Sequence, residues 1–140
     1  MRVILVFVLL ALAMNLCKPE PADSEYDYII INNSSYHVDL NIFYLNYDSV
    51  PKDSLLALSS NAEIKNHYIN YSPDNAFCLP VDSVFLIFDN TKRLVYRKDD
   101  GQQRNILDIN SYTGGKVNDY WYKYQYSITN EDYLNASEIK

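Results

Sequence analysis

Val84-Phe85-Leu86-Ile87-Phe88, Asp89-Asn90-Thr91-Lys92 and Arg93-Leu94-Val95-Tyr96 form the clearest hairpin in the chain. Two apolar, β-branched and aromatic runs flank a short polar link, and Asp and Asn tolerate the left-handed backbone that tight hairpin turns demand. The first arm is apolar on both faces, which predicts an interior strand. The second carries Arg93, Arg97 and Lys98 and lies nearer solvent, and Asp99-Asp100-Gly101 ends it.

Outward from this hairpin the period stays near two. Tyr28-Ile29-Ile30-Ile31 is a short run closed by the turn cluster Asn32-Asn33-Ser34-Ser35. Val38-Asp39-Leu40-Asn41-Ile42 alternates, placing Val38, Leu40 and Ile42 on one face. Pro51 breaks the pattern, so residues 48–61 read as a loop holding a short apolar stretch, Leu55 to Leu58. Glu63 to Tyr71 reads as a weaker strand with Ile64 and Tyr68 on one side and His67 and Ile69 on the other. Gly114-Gly115 reads as a turn. Tyr120 to Ile128 is the last strand, its tyrosines sharing one face and Trp121, Lys123, Gln125 and Ser127 the other. Thr129-Asn130-Glu131-Asp132 has the spacing of a capping box and predicts one short helix running towards Lys140. The fold class expected is all-β: a single antiparallel, immunoglobulin-like (Ig-like) β-sandwich of about seven strands over residues 26–140, with a short C-terminal helix.

The N-terminus carries a different message. Met1-Arg2, the apolar run Val3 to Ala13, and Met14-Asn15-Leu16-Cys17 read as an export signal ending at a cysteine. About eleven apolar residues are too few for a membrane span, which needs about 20. Two processing sites compete. Cleavage after Ala11-Leu12-Ala13 fits the small-x-small rule; cleavage before Cys17 makes residues 1–16 the signal peptide and Cys17 the lipid-attachment residue. Leu16 is larger than the residue that normally precedes a lipidated cysteine. The following Lys18-Pro19-Glu20-Pro21-Ala22-Asp23-Ser24-Glu25 is polar and proline-bearing, so residues 17–25 suit a flexible tether. With only Cys17 and Cys78 in the chain, a lipid on Cys17 leaves Cys78 as a buried thiol, whereas cleavage after Ala13 permits a Cys17–Cys78 disulfide.

Charge and motifs narrow the activity. The chain has net charge -6, or -7 once Arg2 leaves with the signal. Acidic balance without a Lys/Arg cluster argues against nucleic acid. His37 and His67, the two histidines, sit in no metal-ligand spacing, and no nucleophile elbow or phosphate-binding glycine loop is present. The expectation is a non-catalytic protein with no cofactor and no metal site. Trp121, with Tyr122 and nearby tyrosines, is the candidate ligand-stacking surface for a sugar ring; a half-buried sheet face filled by aromatics is the plainer reading of the tyrosines.

Asp82-Ser83-Val84-Phe85-Leu86-Ile87-Phe88-Asp89-Asn90, Lys92-Arg93-Leu94-Val95-Tyr96 and the closing Tyr124-Gln125-Tyr126-Ser127-Ile128-Thr129-Asn130-Glu131-Asp132-Tyr133 resemble the small β-rich envelope lipoproteins of Bacteroides and related gut bacteria. The resemblance spans roughly residues 28–136. It implies export to the bacterial outer membrane and attachment to that membrane through an N-terminal lipid, in a group whose function is unknown. The signal, the tether, the single β domain and the missing catalytic set point to an interaction or accessory subunit with an envelope protein as partner; the alternative is a glycan-binding accessory subunit of a polysaccharide-uptake system, with Trp121 as its stacking residue. It also implies O-glycosylation at Asp-Ser-aliphatic triplets, here Ser49 and Ser54, with Ser83 a poorer candidate because it begins a strand.

Overall fold

The structure, a computed structural model, describes residues 23–45, 53–73, 75–77, 80–98 and 100–140. Among the described residues, nine strands and one short α-helix follow in order, with a single 3-10 turn at Ile109–Ser111: β1 (Glu25–Asn32), β2 (Val38–Tyr44), β3 (Asp53–Leu58), β4 (Glu63–Ile69), β5 (Val81–Phe88), β6 (Lys92–Arg97), β7 (Thr113–Lys116), β8 (Trp121–Ile128), α1 (Asn130–Asn135) and β9 (Ser137–Glu138). They form two open sheets, one ordered β4-β1-β8-β7 and the other β3-β2-β5-β6-β9.

The hairpin forms as its chemistry requires. Asp89 and Asn90 both take positive φ (46° and 56°), the backbone of a tight turn whose twist matches its flanking strands. Thr91 closes it through its amide and hydroxyl, both bonded to the Phe88 carbonyl. β5 lies inside its sheet between β2 and β6. Val38, Leu40, Ile42, Val84, Leu86 and Phe88 are fully buried, and they meet Tyr28, Ile30, Tyr126 and Ile128 of the other sheet in one hydrophobic core.

One pairing departs from the antiparallel expectation: β1 and β8 run parallel over eight residues at the centre of their sheet. Neighbouring strands lie about 4.8 Å apart, so an in-register parallel pair sets like side chains side by side. Tyr26 stacks on Tyr122 with centroids 4.9 Å apart, and Tyr28 on Tyr124 at 5.2 Å. Their inner ends bury rings whose hydroxyls must find acceptors. Tyr28 donates to the Pro73 carbonyl and Tyr112 to the Ile106 carbonyl, each at 2.7 Å.

Three further elements differ from the sequence reading. Residues 53–58 are an edge strand on β2, not loop. Thr113–Lys116 is a strand on β8, although Gly114-Gly115 reads locally as a turn. The helix stops at Asn135, and Ser137–Glu138 pairs with β6, where a helix running towards Lys140 is expected. The helix start follows the sequence: the Asp132 carboxylate reaches back to accept the Thr129 amide at 2.7 Å. Among the described residues no helix is long and apolar enough to cross a membrane.

Candidate functional site

Alternation along β1 sends Tyr28, Ile30 and Asn32 into the core and Asp27 to the outer face of the β4-β1-β8-β7 sheet. Exposed Lys65 and His67 of β4 and Lys123 of β8 share that outer face. Asp27 is nonetheless only 2% exposed. A carboxylate so placed needs several donors to stay charged, and it has three. His67 Nδ1 lies 2.8 Å from Oδ1, while Lys65 Nζ at 3.0 Å and Trp121 Nε1 at 3.1 Å share Oδ2. Burial opposes the charged form, but the hydrogen bonds from His67, Lys65 and Trp121 outweigh it and hold the Asp27 carboxyl below its ordinary value.

Each strand supplies its part through register. Asp27 is directly opposite His67 on β4 and Lys123 on β8. Lys65 lies two residues along from His67, and Trp121 two along from Lys123, so all four flank the carboxylate on one face. Trp121 is half-buried, its indole orientation set by Asp27. Tyr122 points to the opposite face, where it stacks on Tyr26, so the sheet separates these two sequence candidates.

The histidines each meet a carboxylate. His37 Nε2 lies 3.0 Å from Asp39 Oδ1 on the exposed surface, and His67 is oriented by Asp27. An imidazole held this way can accept or donate a proton at its other ring nitrogen, but general-base work also requires a bound substrate within reach. Two adjoining hollows of about 430 and 400 Å³ lie elsewhere, on either side of Gln102, and neither is bordered by a histidine. Their walls are built by polar anchoring: Asp100 accepts from the Arg97 amide and from Gln102, and Asn105 donates to the Arg97 carbonyl. Under the helix, Tyr126 donates to Tyr96, which donates to the buried Asp132, with Arg104 alongside.

Comparison with protein-family models, with curated proteins and with solved structures returns no significant match.

Several sequence candidates fall elsewhere. Cys17, Cys78 and Ser49 lie outside the described residues, as does the side chain of Ser54, whose backbone belongs to β3 and not to a loop. Ser83 is buried, its hydroxyl bonded to Asp82. The grouping of Asp27, Lys65 and His67 is not among the candidates that the sequence singles out. Its one local signal is an acidic residue between Tyr26 and Tyr28 at the start of a β-branched run.

Proposed function

We propose that this chain is an exported, lipid-anchored protein of the bacterial outer membrane that acts without catalysis, as an interaction or accessory subunit. Its contact surface is the outer face of the β4-β1-β8-β7 sheet. The observation that carries this reading is Asp27: a buried carboxylate on an open face, with Lys65, His67 and Trp121 ordered around it. Ordering long side chains at an interface costs about 0.5–1.5 kcal/mol each, and a face ordered before binding avoids part of that cost. The export-type start, Cys17, the polar tether and the family resemblance support the location and the lipid anchor. The immunoglobulin-like sandwich belongs to the same proposal. Two sheets sharing one core support it, and the parallel β1–β8 pair is its departure from that pattern.

A photo-crosslinking residue placed at Lys123, on this face, tests the reading in intact cells against the same residue at Leu134 on α1. A discrete adduct from position 123 and none from 134 is expected; no adduct from 123, or equal adducts from both, contradicts it. A second reading is a glycan-binding accessory subunit with Trp121 as the stacking residue. It is favoured by the half-buried indole at the start of β8, held in place by Asp27. A glycan panel that the protein does not bind removes it.

A further inference from the structure

Among the described residues, most of the exposed large apolar side chains gather at one end of the domain. β1 and β8 start there and β4 and β7 finish there, because Glu25 pairs with both Ile69 and Trp121, and Lys116 with Tyr122. Ile69, Tyr71, Val117 and Tyr120 are each at least half exposed at this end. Leu45 joins them from the other sheet: Asn32, at the far end of β1, bonds to the Leu58 carbonyl beside Val38, which leaves Leu45 at the near end of β2. Exposed apolar residues scattered singly need no explanation, whereas a gathered set does.

The N-terminal tether leaves from the same end, and its exit is fixed. Asn70, in a left-handed backbone (φ 56°), donates its amide to the Ser24 carbonyl at 2.7 Å and accepts the Ser24 amide on its side chain at 2.9 Å. Its side-chain nitrogen bonds to Asp23. From Asp23 back to Cys17 the chain spans at most about 20 Å, at 3.3–3.6 Å per residue. A lipid on Cys17 therefore keeps this end, rather than the opposite one, beside the bilayer.

We infer that this end of the domain rests on the phospholipid surface, with Ile69, Tyr71, Val117 and Tyr120 in the headgroup region. The inference rests on the lipid-anchor reading proposed above. Tyrosines have the apolar body and polar tip that suit the interface. The contact is apolar rather than electrostatic, since Lys116 is paired with Asp119 at 2.8 Å and Glu25 lies among these residues. It sets Trp121 at the membrane boundary and leaves Lys65, His67 and Lys123, farther along the outer sheet face, clear for a partner.

Trp121, the single tryptophan, adjoins the patch through the Val117 amide bonded to its carbonyl at 2.8 Å. The full chain, made in a lipidating bacterium, is reconstituted in phosphatidylcholine vesicles with and without acyl chains brominated near the glycerol. Flotation reads the anchor and Trp121 emission reads the docking. Wild type is expected to float and to lose Trp121 emission in brominated vesicles. The Val117→Glu/Tyr120→Glu double variant should float equally and keep its emission. Tyr120→Ser, a milder change, should fall between. A floating wild type with emission unchanged overturns the docking and leaves the anchor standing; a wild type that does not float overturns both. Quenching that follows protein density instead of brominated fraction identifies a second copy as the occupant, and equal quenching in the variants overturns the assignment to these residues.

Discussion

The Asp27 carboxylate accepts the indole N–H of Trp121 at 3.1 Å, tying the first strand to the eighth across ninety-four residues. The same carboxylate holds Lys65 and His67 of β4, so one buried charge fastens three strands of a four-stranded sheet. Asp27→Asn keeps the shape but puts an amide donor against these donors. We predict a loss of about 1–2 kcal/mol at neutral pH by urea denaturation, modest because Lys65 and His67 are half exposed. The Asp27 carboxyl is held below its ordinary value, so its contribution is present above about pH 5 and fades as pH falls below about 4. Wild type and variant should converge in acid.

Tyr96 sits in the middle of a hydroxyl chain, accepting from Tyr126 at 3.1 Å and donating to Asp132 at 3.0 Å. Tyr96→Phe strands the Tyr126 donor in the core and should cost about 1–3 kcal/mol. Tyr126→Phe removes only the end of the chain and should cost about 1 kcal/mol. Thermal unfolding that ranks the two in reverse contradicts the chain.

Alkali should unfold the domain through the same rings. Burial, followed by the neighbouring Tyr126 and Asp132, drives the Tyr96 hydroxyl far up; burial also raises Tyr112, and pushes Tyr126 up to about 12. These groups stay protonated in the fold while the unfolded chain releases their protons near pH 10. Stability is therefore retained below about pH 10 and declines above it, as circular dichroism across an alkaline titration will show.

Two glycines and one asparagine test the backbone. Gly114 has φ 106°, and a Cβ there would press into the Lys123 carbonyl oxygen; Gly115, at φ 143°, has open space. Gly114→Ala should destabilise by about 2–3 kcal/mol and Gly115→Ala by about 1 kcal/mol, from strain alone. Asn90→Gly, at positive φ in the β5–β6 turn, should stabilise the hairpin by a few tenths to about 1 kcal/mol. Melting temperatures of the three variants check this.

What was legible in the sequence was local. The Asp89-Asn90 turn, the alternation of Val38, Leu40 and Ile42, and the Thr129–Asp132 cap depend on neighbouring residues and formed as read. β7 was hidden because Gly114 and Gly115 carry no strand preference; pairing with β8, ten residues on, makes them a strand. β3 was hidden by Pro51 and its polar surroundings. The candidate site was least legible, since Asp27 meets His67 forty residues away and Trp121 ninety-four residues away through registers no local pattern encodes. Trp121 stood out by being single; its carboxylate partner did not.

The proposed export and membrane attachment through Cys17 can be read by labelling cells with a radioactive fatty acid and comparing wild type with Cys17→Ala. A labelled wild-type chain and an unlabelled variant are expected. Equal labelling of the two, or none in either, contradicts that attachment.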